Sequence, residues 1–102
     1  MFLFNRKRKR MIADKINDPN ATIVDVRTVG EFQSGHLNGS INIPLDEVEA
    51  RIEELKAMSR PLILCCRSGA RSGNATAFLS AQGFEEVYNG GGWTDVRLHK
   101  ID

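Results

Sequence analysis

Residues 61–72 read Pro61-Leu62-Ile63-Leu64-Cys65-Cys66-Arg67-Ser68-Gly69-Ala70-Arg71-Ser72. The apolar half predicts a short buried strand, with proline at the first position, where it disturbs a strand least. The small and cationic residues after Cys66 predict a tight loop, followed by a helix that begins near Ser72 and ends at Gln82, before Gly83. Backbone N–H groups at a helix N-terminus stabilise anions and thiolates. Cys66 is therefore the candidate nucleophile.

The rest of the chain alternates between strand-like and helix-like segments. Predicted strands are 21–26, 40–43 and 84–88, and predicted helices are 6–18, 28–35, 45–58 and 93–100. Residues 89–92, Asn-Gly-Gly-Gly, are predicted to be a flexible loop. Short strands that alternate with helices are typical of parallel crossover units. The predicted fold class is α/β, a small parallel sheet flanked by helices on both faces.

This topology predicts where a ligand would bind. In open parallel sheets ligands bind beyond the carboxyl ends of the strands. The loop after Cys66 lies there, and so do the segments after Asp25 and after Tyr88. We expect these three segments to converge on one site.

Size and composition indicate one soluble globular domain. The chain has 102 residues, of which 41% are hydrophobic and 26% charged. A chain of this length has room for a single modest core. It contains no apolar run near the roughly 20 residues that a membrane-spanning helix needs.

The N-terminus differs in charge from the rest. Residues 6–10 are all basic, so residues 11–102 carry a net charge of about −4. The basic run suggests either an electrostatic tether to nucleic acid or anionic lipid, or the solvated face of a terminal helix. We favour the solvated face and expect no nucleic-acid or membrane partner.

We treat 1–20 as a basic N-terminal segment and 21–102 as the domain. The order of charge and apolar residues is the reverse of a secretory signal, so we expect a cytoplasmic protein.

The two cysteines are adjacent, which limits what they can do. They cannot form a disulfide framework, and no further Cys or His lies at metal-ligand spacing, so we expect neither a metal nor a cofactor. Side chains of neighbouring strand residues point to opposite faces. We expect Cys65 to pack as a small hydrophobe, although a second, resolving thiol is an alternative.

The residues after Cys66 favour its thiolate form. Small side chains allow backbone N–H groups to turn inward, and guanidinium groups add positive charge. The candidate substrate-binding residues are Arg67, Ser68, Gly69, Ala70, Arg71 and Ser72. Alternatives remain for several of them. Arg71 could cap a helix or form a salt bridge, Arg67 could be solvated, and the two serines could satisfy backbone groups.

Four residues outside the loop are candidates for supporting the site. Asp25 and Arg27 could be an acid and a substrate clamp, but a strand-end Asp25 that pairs with Arg27 or holds the active loop is favoured. His36 could be an acid/base group, although a hydrogen bond to backbone is favoured. Trp93 either lines the rim of the pocket or attaches the last helix to the core.

Several motifs, taken together, resemble those of single-domain rhodaneses. They are Val24-Asp25-Val26-Arg27, Glu31-Phe32, Gly35 to Pro44 (GHLNGSINIP), Cys66 to Ser72 (CRSGARS) and Gly83-Phe84 through Trp93. The similarity covers about residues 21–100 in the family's order. The basic N-terminal segment departs from the short strand and polar helix with which many members begin.

The resemblance implies sulfurtransferase chemistry. Cys66 would take a sulfur from thiosulfate or a similar anionic donor and pass it, as a persulfide, to cyanide or to a thiol such as that of a thioredoxin-like protein. A monomer suffices for this chemistry. One alternative is a rhodanese-like binding or sulfur-carrier module. A phosphatase or arsenate reductase is less favoured, because the related tyrosine phosphatases place one further residue between cysteine and arginine than the four found here.

Overall fold

The computed structural model describes residues 10–101. Its elements are α1 (10–16), β1 (Thr22–Asp25), α2 (Val29–Gln33), β2 (Ile41–Asn42), a 3-10 turn (Leu45–Glu47), α3 (Ile52–Lys56), β3 (Leu62–Cys66), α4 (Ala70–Ala81), β4 (Val87–Gly92) and α5 (Trp93–His99). The strands form one sheet in the order β2-β1-β3-β4, and every neighbouring pair is parallel. The predicted α/β class with a parallel sheet is confirmed.

Side chains of the sheet alternate between two apolar cores. Leu62, Leu64 and Cys66 of β3 face one core, which includes residues of α3 and α4 such as Leu55 and Leu79. The intervening β3 residues Ile63 and Cys65 face the other core, with Ile16 of α1 and Val96 of α5. Burial of both faces explains why β3 is apolar throughout rather than alternating. Helices on both faces are therefore also confirmed.

The described part of the N-terminal segment packs onto the domain. Ile16 is fully buried, and the Asn17 amide donates to the carbonyl of His99 at 2.8 Å and accepts from the N–H of Ile101 at 2.7 Å. Residues 6–9 of the basic run lie outside the described residues, and Arg10 is exposed. The boundary at residue 20 remains a prediction. No helix within residues 10–101 is long and apolar enough to cross a membrane.

The helix predicted over residues 45–58 is wrong as a single element. It consists of the 3-10 turn and the short α3, and Arg51 before α3 has φ −109° and ψ 27°, outside helical geometry. The N–H of Leu45 donates to the carbonyl of Val26 at 3.0 Å, which attaches the first turn to the end of β1. Val48 and Leu55 are nevertheless both buried, so the apolar spacing correctly identified inward-facing residues.

The loop predicted at residues 89–92 is also wrong, because these residues belong to β4. Leu64 pairs with Asn89 and Cys65 with Gly91, and a bulge accommodates Gly90 between them. A Cβ atom on Gly90 would lie 2.8 Å from Cγ2 of Ile63 and 2.9 Å from Cγ2 of Val96. Glycine at this position allows β3 and α5 to approach β4 closely. The loop prediction treated these glycines as signals for a turn and did not detect this close packing.

Candidate active site

Cys66 lies at the carboxyl end of β3, where the chain turns into α4. The turn depends on Gly69, whose φ of +97° is a left-handed conformation that side chains disfavour. The helix begins at Ala70, two residues earlier than predicted, so Ser72 lies in its first turn rather than at its start. The early start places the N–H of Ser72, in the first turn of the helix, within hydrogen-bond distance of the cysteine sulfur.

Three hydrogen bonds converge on the Cys66 sulfur. The N–H of Gly69 donates to Sγ at 3.0 Å, and Ser72 donates from its N–H at 3.5 Å and from its hydroxyl at 3.4 Å. Cys66 is only 1% exposed, and this burial opposes ionisation of its thiol. The bonds from the Ser72 hydroxyl and from the N–H groups of Ser72, Gly69 and Ser68 outweigh burial, so the pKa of Cys66 is lowered from its ordinary value.

Cys65 has a different environment. It lies in the apolar core against Ile63 and Val96 and is fully buried. Burial, together with the nearby Asp25 carboxylate, raises the pKa of Cys65 to about 12. The predicted separation of the two thiols onto opposite faces is confirmed, and the structure does not bring Cys65 to the loop side of the strand.

The two arginines of the loop differ in their surroundings. The Arg71 guanidinium binds both carboxylate oxygens of Glu31, with Nη1 to Oε1 at 2.7 Å and Nη2 to Oε2 at 3.0 Å. Of the roles considered for Arg71, the structure shows the salt bridge. Arg67 is exposed, as Ser68 and Ala70 are, which leaves its charge free to face solvent.

Glu31 is held in place from two sides. It is the third helical residue of α2 and completes a capping box, in which its N–H donates to Oγ1 of Thr28 at 3.2 Å and its Oε1 accepts from the N–H of Thr28 at 3.0 Å. The bond from Arg71, followed by that from Thr28, lowers the pKa of Glu31 to about 2. Glu31 thus orients Arg71 as an ionised carboxylate.

Asp25 and Arg27 form a buried pair at the end of β1. Arg27 donates from Nε to both carboxylate oxygens at 3.0 Å and from Nη2 to Oδ2 at 2.7 Å. Arg27 also donates to the carbonyl of Gly35 at 2.7 Å and stacks on the Trp93 ring at 4.7 Å. Trp93 carries Arg97 against its ring as well, at 5.1 Å. The arrangement matches a supporting pair rather than an acid and a substrate clamp.

His36 is not among the groups that contact the sulfur. Its Nδ1 lies 2.8 Å from the carbonyl oxygen of Phe32, and its ring stacks on the Phe32 ring with centroids 3.7 Å apart. The side chain is exposed. The structure thus shows the backbone hydrogen bond favoured for His36.

Asn89 joins the loop, and we did not predict it as a site residue. Its side-chain N–H donates to the carbonyl of Gly69 at 3.0 Å, and its Oδ1 accepts from the Ser72 hydroxyl at 2.7 Å and from the N–H of Gly91 at 3.0 Å. Its position directly after Tyr88, at a strand end expected to reach the site, was the signal that could have identified it.

The arrangement can therefore stabilise a reactive thiolate and negative charge that develops beside it. A cavity of about 320 Å³ adjoins the first turn of α4 at Arg71. Its other lining residues are Val26, Thr28, Pro44, Leu45 and Asp46. Within residues 10–101, no three or more His, Cys, Asp or Glu side chains cluster so that they could hold a metal ion.

Comparison with known proteins gives consistent matches. The profile described as "Rhodanese-like domain" matches residues 9–99. The chain is 37% identical over 79 residues to "Thiosulfate sulfurtransferase PspE" of Escherichia coli (strain K12), covering 76% of each protein. It is 39% identical over 69 residues to "Uncharacterized protein YqhL" of Bacillus subtilis (strain 168), covering 68% of this chain and only 54% of that relative. A solved structure, "rhodanese with anions from E. coli", superposes with a TM-score of 0.64 at 36% identity, covering 74% of this chain and 89% of the other.

Proposed function

The chain belongs to the rhodanese-like domain family, and on that premise we propose that it is a sulfurtransferase that carries a sulfane sulfur on Cys66. The observation that carries the proposal is the set of hydrogen bonds from Gly69 and Ser72 to the Cys66 sulfur. These groups favour a thiolate, which is the nucleophilic form of cysteine. The name of the PspE relative, a thiosulfate sulfurtransferase, supports thiosulfate as the donor to test first.

In the first half of the reaction the donor gives up its outer sulfur. The Cys66 thiolate attacks the outer sulfur of thiosulfate, a bond forms between the two sulfurs, and the sulfur–sulfur bond of the donor breaks. Sulfite leaves with the electron pair of that bond, and Cys66 becomes a persulfide anion. No proton has to be removed during attack when the thiolate is already present, which agrees with His36 lying away from the sulfur.

In the second half of the reaction an acceptor takes the sulfur. Cyanide or a thiolate attacks the terminal sulfur, the bond between the two sulfurs breaks, and the Cys66 thiolate is regenerated. The products are thiocyanate or a persulfide of the acceptor. Sulfur, charge and electrons balance over the cycle without an external oxidant or reductant.

Fixed donors stabilise charge at each stage. Donor, leaving group and persulfide are all anions, and the N–H groups of the turn are already oriented toward the sulfur before the reaction begins. The N-terminus of α4, a helix of 12 residues, adds positive potential at the same point. The exposed Arg67 is placed to attract an anionic donor from solvent.

Intact-mass measurement tests the proposal directly. After treatment with thiosulfate the protein should gain one sulfur atom, which cyanide then removes. Cys66→Ser should gain none, whereas Cys65→Ser, in which the buried neighbour is altered, should still be modified. Wild-type protein that takes up no sulfur from thiosulfate or from a protein persulfide would overturn the proposal.

Two further outcomes define other functions. Slow uptake from thiosulfate with rapid uptake from a protein persulfide would indicate a sulfur-carrier module. Hydrolysis of an aryl phosphate would indicate phosphatase chemistry, which the four-residue spacing between Cys66 and Arg71 disfavours.

A further inference from the structure

The side chain of Asn89 links both ends of the Cys66 turn. One end is Gly69, whose carbonyl accepts from the Asn89 amide at 3.0 Å and whose N–H donates to the sulfur at 3.0 Å. The other end is Ser72, whose hydroxyl lies 2.7 Å from Oδ1 of Asn89 and 3.4 Å from the sulfur. Asn89 is thus connected to the sulfur through one intervening residue in two ways, through Gly69 and through Ser72.

The Ser72 hydroxyl has one proton and two acceptors. It can donate to Oδ1 of Asn89 or to the Cys66 sulfur, but not fully to both. Ser72 and Cys66 are buried, so water cannot readily replace the hydroxyl as a donor to the sulfur. Asn89, in contrast, is exposed. Oδ1 of Asn89 also accepts from the N–H of Gly91 at 3.0 Å, and it therefore keeps one partner when the hydroxyl turns toward the sulfur. The geometry permits the hydroxyl to move between the two acceptors without leaving the amide oxygen unpaired.

We propose that Asn89 is a positioning residue for Cys66. Its amide N–H holds the Gly69 turn in place, and its carbonyl oxygen accepts the hydrogen bond of the Ser72 hydroxyl whenever that hydroxyl does not donate to the sulfur. Asn89 touches neither the sulfur nor, on this account, the substrate, and it acts through Gly69 and Ser72. The effect of Asn89 on sulfur transfer rests on the proposed function. Its effect on the Cys66 thiolate is measured without any sulfur donor, so failure of the positioning role and failure of the sulfurtransferase function are distinguishable.

The charged groups around the loop are already paired or lie at its rim. The Asp25–Arg27 pair closes the end of β1, and the Glu31–Arg71 pair joins α2 to α4. Arg67 is exposed, and Asp95 of α5 lies next to Gly92. Asn89 is the uncharged polar group that β4 contributes to the turn, so a substitution there leaves the pairs of the other elements intact.

The decisive variant is Asn89→Asp, which keeps the shape and removes the donor to Gly69. It also adds a stronger acceptor for the Ser72 proton and a negative charge, both of which disfavour the thiolate. We expect the pH midpoint of Cys66 alkylation by iodoacetamide to rise by about half a unit to one unit, a three- to tenfold slower reaction below the midpoint. At high pH the variant should reach the plateau rate of the wild type.

A second substitution separates positioning from the added charge. In a Ser72→Ala background the hydroxyl route is absent, so Asn89→Asp should shift the midpoint less than it does in the wild type. Equal shifts in the two backgrounds would show that the Ser72 hydroxyl transmits none of the effect, and would overturn the role proposed for the Asn89 carbonyl oxygen. Gln82→Glu adds the same charge at the far end of α4 and should leave the midpoint unchanged.

A measurement on the wild type covers the case in which a variant does not fold. The side-chain amide resonances of Asn89, followed by ¹⁵N NMR, should move with pH at the midpoint found by alkylation and should be constant in Cys66→Ser. Amide resonances that stay constant through that midpoint in the wild type would overturn the proposal. A uniform loss of transfer at every pH in Asn89→Asp, with no change in midpoint, would do the same.

Discussion

Arg71 and Glu31 form an ion pair in which each terminal guanidinium nitrogen meets one carboxylate oxygen, at 2.7 and 3.0 Å. The pair joins the first turn of α4 to α2 across 40 residues of sequence. Both side chains are about one third exposed, at 33% and 32%, so solvent screens part of the attraction. The principal consequence is geometric, because the pair fixes the helix turn that carries Ser72.

Glu31→Gln should destabilise the protein in a pH-dependent way. The folded-state pKa of Glu31 lies at about 2, below its ordinary value of 4.5, so its contribution is present above pH 4.5 and is lost as the pH falls through about 2. The free energy of unfolding of the variant, measured by urea titration, should lie below that of the wild type at neutral pH. The two curves should converge on acidification.

Glu54→Gln provides the matched control for that experiment. Glu54 also pairs with an arginine, Arg51, at 3.0 Å, and Arg51 likewise lowers the pKa of Glu54. This pair lies at the start of α3. A pH-dependent loss of unfolding free energy in the Glu54 variant as large as that in Glu31→Gln would contradict a specific role for the Arg71–Glu31 pair.

The two thiols should react at very different rates in the native protein. The hydrogen bonds to Cys66 lower its pKa, whereas burial raises the pKa of Cys65 to about 12. We expect iodoacetamide to modify Cys66 alone at neutral pH, with a rate that levels off below the pH expected of a free thiol. Peptide mapping by mass spectrometry identifies the modified residue, and both cysteines should react in urea. Modification of Cys65 first in the folded protein would contradict this assignment.

Arg27→Ala should be strongly destabilising because it leaves the fully buried Asp25 carboxylate without its partner. Removing one member of a buried ion pair costs about 3–5 kcal/mol. Arg51→Ala removes a partly exposed arginine from surface pairs and should cost less than about 1 kcal/mol. Urea unfolding of both variants checks the difference, and equal losses would show that the Asp25–Arg27 pair is no more important than a surface pair.

Gly90→Ala tests whether the glycines of β4 are structural. The new Cβ would lie within 3 Å of Ile63 and Val96 side chains, and overpacking of this kind costs about 1–3 kcal/mol. Gly30→Ala in α2 meets no atom within 4 Å and should be neutral or stabilising by up to about 1 kcal/mol. Thermal unfolding of the Gly90→Ala and Gly30→Ala variants measures the difference in stability. A neutral Gly90→Ala would show that β3 and α5 adjust easily.

The features that local pattern could predict were those set by neighbouring residues. Alternation along β3 correctly placed Cys65 and Cys66 on different faces, and the helix predicted over 28–35 is present as α2, with Thr28 and Glu31 at the spacing of a capping box. The order of strands and helices was sufficient for a parallel sheet with helices on both faces. In the first two cases the physical cause lies within a few residues of its effect.

Contacts between residues distant in sequence were not predicted. The bond from Asn89 to Gly69 spans 20 residues and was missed. A salt bridge was among the roles considered for Arg71, but its partner, Glu31, lies 40 residues away and was not named. Glycine at position 90 looked like a loop because its requirement comes from Ile63 and Val96, which pattern along the chain does not place beside it. The division of residues 45–58 depends on the attachment of Leu45 to Val26.

The placement of Cys65 and Cys66 on opposite faces also bears on oxidative damage. A peroxide that converts Cys66 to a sulfenic acid creates a group that is normally rescued by condensation with a nearby thiol. The chain has only two cysteines, and its other thiol is sealed in the opposite core. Within this fold the second thiol cannot reach Cys66, so a rescuing thiol has to come from outside it, and without one the sulfur proceeds to sulfinic and sulfonic acids, which end its chemistry. Peroxide resistance should accordingly follow the supply of external thiols rather than any property of the fold.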